Sequence, residues 1–443
     1  MQGTGPSRTS LLAYSAPAVP LSMLMMQLIV YVPALYAVEL GLDLATVGLV
    51  FFLARAWDAV IDPVFGNLSD RTRSRWGRRK PWLGLGMPLL VVGIWAFCQP
   101  PAGAGVLYLG VTAFLFYVAL AAVQIPYLSW GAELSRDYAE RTRINGWREA
   151  GTMIGTLLAT GLPLLLLSGD DPPLREILRV FSITASVLLP IGVLWSLYAV
   201  PAAPFLETGR RSLATAVAEL RLNPPLLRLL GGVFLLWLGG AVWNAMVLFM
   251  VQFTLELPRS AFLSFVFWQY IAAIAFLPLA VRLGNRIGRH RALIFGAIVY
   301  FALAPLFLLV GKGAFGAALA VFMLMGAVTS FIWVMPPALV ADAVEYGMLH
   351  GAGDDAAFYM ALYFFVQKTA LAVGVGLALP LAGALGFVPA TGAGAGALAF
   401  VALGLPLLLA LPGAAVLFNY PIDERRHAEI RRQLAERQAG EAV

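Results

Sequence analysis

Stretch after stretch of this chain is apolar for as long as a bilayer is thick, and that recurrence removes almost every alternative fold. Twelve such segments lie near 11 to 38, 44 to 69, 81 to 99, 104 to 132, 143 to 168, 176 to 200, 226 to 255, 260 to 284, 292 to 311, 314 to 341, 356 to 385 and 392 to 418. A helix needs roughly 20 apolar residues to cross a hydrocarbon core about 30 Å thick. In that medium only helices and closed barrels satisfy their own backbone, and segments this long read as helices. An all-α membrane protein with 12 transmembrane helices is therefore predicted, with no length left over for a separate soluble domain among the 443 residues. Hydrophobic residues make up 60% and charged ones 12%, a balance that a water-soluble domain does not have. Prolines inside the spans, as at Pro17, Pro20, Pro33, Pro63 and Pro126, are compatible with membrane helices. The single Cys98 excludes a disulfide within the chain. The leading MQGTGPSRTS is too short and too weakly charged for a cleaved signal peptide, so the first span is expected to be retained.

A polar break, Pro201 to Arg228, divides the spans six and six; it contains Arg210, Arg211, Arg221 and the Pro224-Pro225 pair. The expected division is an N-terminal six-helix bundle over 1–200, a linker over 201–225, a C-terminal bundle over 226–418 and a tail over 419–443. Counting loops alternately, one side collects Arg71, Arg73, Arg75, Arg78, Arg79, Lys80, Arg136, Arg141, Arg143, the linker arginines, Arg286, Arg289, Arg291 and the tail arginines Arg425 to Arg437. The other side has only Arg175, Arg179, Arg259 and Lys312. By the positive-inside rule the rich side is cytoplasmic and both termini lie there, which makes the formal charge of +6 a topology signal. Nucleic acid is excluded as a partner because each basic loop is short and abuts a span; membrane lipid headgroups are expected there instead.

The stretch RAWDAVIDPVFGNLSDRTRSRWGRRKPW, Arg55 to Trp82, carries the strongest functional signal. Asp58 and Asp62 stand four residues apart, so on a helix both carboxylates leave one face, with Arg55 one turn before Asp58. A carboxylate near mid-bilayer costs about 2.5 to 3.5 kcal/mol on insertion scales, so both should face the protein interior or a water-filled chamber. Uptake of a proton or small cation relieves the repulsion between them, which suits the pair to ion coupling. The bland reading is that Arg55 neutralises Asp58 and the group only locks helices together. Pro63 loosens the backbone just before it and could free a carbonyl. Enzymatic chemistry is not expected: the three histidines, His290, His350 and His427, lie near loops or in the tail, and no metal or nucleophile–base constellation occurs in the spans. No resident cofactor or metal is expected, only H+ or Na+ as an exchangeable ion.

An internal repeat narrows the fold. After the second span the chain reads Gly66-x-x-x-Asp70-Arg71 and then Gly77-Arg78-Arg79; after the eighth it reads Asn285-Arg286-x-Gly288-Arg289-His290-Arg291. This resembles the loop motif of the major facilitator superfamily, in which a carboxylate at a helix end pairs with arginines and tethers helices in one transport state. On that resemblance Arg55, Asp70, Arg71, Arg78 and Arg79 are gating candidates. WDAVIDPVFG with TRSRWGRRKPW, IPYLSWGAELSRDYAERTRINGWREAG, the stretch from MPPALVADAVEYG to PLAGALGF and the tail YPIDERRHAEIRRQLAERQ resemble the glycoside-pentoside-hexuronide:cation symporter family.

That resemblance, which covers nearly the whole chain, implies a cation-coupled carrier working by alternating access between two pseudo-symmetric bundles. It also implies a bacterial cytoplasmic inner-membrane protein, here expected to act as a monomer. Asp58 and Asp62 match the family's acids on helix two, and Gln124 stands where the pattern has a third carboxylate. Ile61 and Ala121 replace an amide and a hydroxyl, which removes sodium ligands and favours H+ over Na+. Arg148 and Lys368 match the family's basic residues beside the substrate. Ser22 and Leu128 replace a sugar-binding acid and tryptophan, so the expected solute is small, polar and anionic, such as a glycoside or hexuronide. A lysophospholipid or other amphipathic anion is the alternative cargo. Gln27, Tyr31, Tyr127, Trp130, Trp243, Asn244, Trp268, Gln269 and Trp333 could line a substrate site, although for any one of them helix packing or an interfacial belt is the commoner use of such a residue. Asp342 and Glu345, at the end of the tenth span, match an acidic helix end suited to a gate.

Overall fold

In a computed structural model the chain is nearly all helix; it describes residues 7–135, 138–169, 171–202, 220, 221, 223–350, 356–389 and 391–441. Twelve helices among these are long and apolar enough to cross a membrane. In chain order α1 to α6 are Arg8–Glu39, Leu44–Arg71, Lys80–Cys98, Val106–Glu133, Arg143–Leu166 and Leu174–Ala199. Then α7 to α12 are Pro224–Thr254, Arg259–Ile287, Arg289–Leu308, Phe315–Leu349, Phe358–Ala384 and Ala395–Phe418. A tail helix, α13, runs Glu424–Glu441. Most of the expected linker, with Arg210 and Arg211, lies outside the described residues, as does Arg136.

Helix ends follow capping chemistry. Asp43 accepts from the Thr46 amide at 3.0 Å to start α2, and Asn223 does the same for Leu226 at 3.1 Å ahead of α7. The tenth helix departs from expectation: it continues through Asp342 and Glu345 to Leu349 instead of stopping near 341. At 1.5 Å per residue its 35 residues reach roughly 52 Å, more than a hydrocarbon core needs, so its last turns project beyond it.

The repeat is visible in backbone detail. Both α1 and α7 close in a π-type turn, Leu35–Glu39 in one and Met250–Thr254 in the other. In the first, Leu40 N–H donates to Leu35 and Leu42 N–H to Tyr36; in the second, Leu255 donates to Met250 and Leu257 to Val251. The same sequence separation carries Asp70 to Asn285, so the loop motif and the helix ends repeat in register.

Two compact units are present: Met1–Glu207 with Pro258–Phe267 and Val375–Gly394, and Thr208–Leu257 with Trp268–Gly374 and Ala395–Val443. Within the first, Arg259 pairs with Asp171 at 3.5 Å, and Gly48 of α2 and Gly376 of α11 sit hard against Pro380 and Phe52. Here too α1 is clasped by small residues. A side chain at Gly151 or Gly192 would meet the α1 backbone at Ser15 or Ala16, and one at Gly155 would stand 2.1 Å from both Ser22 Oγ and the Val19 carbonyl oxygen. The Val19 carbonyl cannot step aside. Gly155→Ala is therefore expected to destabilise by about 1–3 kcal/mol or more, read as a lower melting temperature in detergent. Gly110→Ala, with open space at its Cβ, should melt at or slightly above the wild-type temperature.

Candidate functional site: the acidic face of the second helix

Helix α2 has two faces with opposite chemistry. Arg55, Asp58, Asp62, Phe65 and Ser69 recur at helical spacing on one side, where Asp58 is 2% exposed and Arg55 is buried. Leu49, Leu53, Val60, Val64 and Leu68 form the opposite side, all exposed and all apolar. An apolar stripe belongs against lipid, so the carboxylates point away from it, as their insertion cost demands. Oδ1 of both aspartates is shut off from solvent.

The acidic face packs on α4. The Arg55 guanidinium lies 5.2 Å from the centre of the Tyr117 ring, and Phe65 packs with Ala121 and Ala122, with Ile61, Trp82, Val118 and Ile125 closing round them. These contacts set the two helices parallel in register. Gln124, half-buried, thus comes within about a turn of the level of Asp62. The same packing shows why Ala121 and Ala122 are small: they make room for Phe65.

About two turns beyond Asp62 the helix ends in an ion lock. Arg79 donates to Asp70, Ser69 Oγ and Glu133, while Arg78 reaches Glu133 at 2.7 Å. The lock joins the end of α2, the loop and the end of α4, as the motif implies, but its central acceptor is Glu133, which sequence reasoning missed. Its only signal was a carboxylate at the close of an apolar run. Arg71, expected in this group, is exposed and makes no ion pair with a described residue; Arg79 takes Asp70 instead, because the turn at Gly77, φ +89°, folds it back.

The second copy of the motif is built differently. Arg289, at the start of α9, donates to Asp342 of α10. His427 of the tail helix places Nε2 at 2.9 Å from Glu345 Oε2 and 3.3 Å from Asp342 Oδ1. A cavity of about 200 Å³ beside them is lined by Asn285, Arg289, His290 and Arg431 among others. The gating candidates Asp342 and Glu345 therefore hold the tail down, and His427 is a partner the sequence did not single out.

The substrate candidates divide. Arg148 is largely buried in the first unit, beside Tyr14 and Tyr127, and donates to Glu149 at 2.6 Å. Lys368 is half-buried on α11 in the second unit. Four aromatic candidates are packed shut. Tyr127 and Tyr14 stack at 4.9 Å and exchange hydroxyl-to-carbonyl bonds, with the Trp130 ring edge-on to Tyr14. Tyr31 lies between Phe181 and Phe262, and Trp243 stacks on Phe307. In this state they serve helix packing. Asn244 returns its amide to the Gly240 carbonyl at 2.8 Å, and the Gln27 side chain lies outside the described residues.

Comparison with known proteins then decides the family. The model of the MFS/sugar transport protein family matches residues 13–424. The chain belongs to that family. More narrowly, it is a glycoside-pentoside-hexuronide:cation symporter family member of the major facilitator superfamily, a transporter and not an enzyme. An uncharacterized symporter of Synechocystis is 25% identical, with 97% of each chain covered. The glucuronide carrier protein homolog of Escherichia coli is also 25% identical, over 88% of this chain and 87% of its own. A D-xylose-proton symporter structure superposes with a TM-score of 0.64 at 17% identity, covering 94% of this chain and 97% of that one, which bears on the fold alone. Of the two acids on the α2 face, Asp58 is buried and Asp62 half-buried.

Proposed function

We propose that this protein couples the inward movement of H+ to uptake of a small, polar, anionic solute of sugar type, such as a glycoside or hexuronide. The observation that carries the reading is the acidic face of α2: two carboxylates in a membrane helix, turned from the lipid stripe and held against α4, with Asp58 only 2% exposed. Burial of that kind is costly, and carboxylates kept inside a membrane at that cost mark ion pathways. H+ is favoured over Na+ because Ile61 and Ala121 offer no oxygen, which leaves Asp58, Asp62 and Gln124 a thin ligand set for a metal cation. Arg148 and Lys368 supply the positive charge that an anionic solute needs. The membrane is the bacterial cytoplasmic one, with the arginine-rich loops and both termini inside. The relatives that carry symporter and glucuronide carrier names support the substrate class.

Purified protein in proteoliposomes tests this directly. With a panel of glucuronides, neutral glycosides and lysophospholipids outside, an imposed pH gradient, acid outside, should drive accumulation of a glucuronide, and a Na+ gradient at equal pH should not. Accumulation that follows Na+ alone, or that selects a neutral sugar, would overturn the corresponding part of the reading.

A further inference from the structure

The loop between α2 and α3 carries six cations, and the fold separates them into two sets of three. Arg78 and Arg79 turn inward to Glu133 and Asp70, and Lys80 donates to the Leu197 carbonyl at 2.8 Å with its Nζ 5.4 Å from the Trp130 ring. Arg71, Arg73 and Arg75 turn outward and are exposed, and none makes an ion pair with a described residue. Trp76 stands with them, 59% exposed, the Arg75 guanidinium 4.8 Å over its ring.

This outward set is held in place. Thr72 Oγ1 donates to the Leu68 carbonyl and accepts from Trp82 Nε1, both at 2.8 Å. The Trp76 amide donates to Ser74 Oγ at 3.1 Å, and the Gly77 amide donates to the Ser74 carbonyl at 3.0 Å. The position of the set along the membrane normal follows from α2. Val60, Val64, Leu68 and Arg71 share one helical face, so the exposed apolar stripe runs straight into Arg71. Where acyl chains covering that stripe give way to headgroups, the protein presents three guanidinium forks and an indole.

We propose that Arg71, Arg73, Arg75 and Trp76 form a binding site for an anionic phospholipid, the arginines taking the phosphodiester and the tryptophan seated at the headgroup level. Guanidinium forks match phosphate oxygens bidentately, and an exposed tryptophan beside an apolar stripe suits the interface between chain and headgroup regions. The charge complementarity is local: the three inward cations are already neutralised or bonded, so the net attraction comes from the outward three. The inference does not depend on which solute or ion is carried.

Native mass spectrometry of the full chain, released from micelles doped with phosphatidylglycerol or phosphatidylcholine, tests it. Wild-type protein should retain phosphatidylglycerol in preference to phosphatidylcholine. The triple variant Arg71→Gln, Arg73→Gln, Arg75→Gln should lose that retention at least about tenfold, with Trp76→Ala weakening it to a lesser degree. A triple variant that removes equal charge from the tail helix, Arg425→Gln, Arg426→Gln, Arg432→Gln, should retain the lipid as wild type does. Equal retention by the loop triple, or equal loss by the tail triple, overturns the site. Glycerol 3-phosphate, which has the headgroup chemistry without chains, should not displace the lipid at equal concentration; displacement would mean a soluble phosphate is the ligand and would also defeat the proposal. Melting temperatures of both triples near that of wild type establish that the comparison is between folded proteins.

Discussion

Asp58→Asn is expected to end concentrative uptake while leaving the protein inserted and folded. The substitution keeps the shape of the side chain and removes only its charge, at a position that is 2% exposed and packed toward α4. One H+ carried with one monovalent anion moves no net charge, so the pH gradient is the drive: each pH unit yields about 1.4 kcal/mol, enough for a wild-type carrier to concentrate its solute roughly tenfold. A carrier that no longer binds the ion loses the link to that gradient, so the inside-to-outside ratio in the variant is expected to stay at one. Asp62→Asn, on the same face, should behave alike. The measurement is the steady-state ratio of labelled solute in proteoliposomes, with circular dichroism and melting temperature as controls. If both variants accumulate solute as wild type does, the acids are structural and the coupling site lies elsewhere.

Glu133→Gln should be the most destabilising of the conservative changes near the loops. Arg78 and Arg79 are both nearly buried, with side chains 8% and 6% exposed, and both converge on this one carboxylate, itself 11% exposed. Neutralising it leaves two guanidinium groups out of water with too little negative charge, and breaking a buried pair in this way costs about 3–5 kcal/mol. Asp70 cannot take over, since it is over half exposed and already bonded to Arg79. Arg78→Gln should cost distinctly less, because Arg79 keeps both of its acids. Thermal unfolding in detergent reads the difference; a Glu133→Gln protein melting within a degree or two of wild type would show that the lock is held by something other than this carboxylate.

Legibility from sequence tracked how tightly physics constrained each feature. The spans were legible because a bilayer permits so few backbone solutions, and all but one end within a few residues of where hydropathy places them. The exception, α10, was misjudged because Asp342 and Glu345 look like the close of a span, whereas a helix is free to continue into water. The face shared by Asp58 and Asp62 was legible from a spacing of four. By contrast, nothing in the one-dimensional order reveals whether Tyr127 or Trp243 turns toward a neighbouring helix or an open space, and both turn toward neighbours. Pairing in the loop was similarly hidden. Arg71 is next to Asp70 in sequence, but a left-handed glycine brings Arg79 to it in space. His427 acquires its role only because α10 is longer than expected and the tail folds back onto it.

The lone thiol of this chain has a practical consequence. Cys98 is free, at the end of α3, and 1% exposed. The natural protein should therefore be almost silent to maleimide reagents in its folded form, and a cysteine introduced at an exposed position such as Arg432 would accept a fluorophore or spin label without first clearing a background. Because the tail helix is pinned to the projecting end of α10, a probe there would report displacement of that helix through a full transport cycle in an otherwise unaltered carrier.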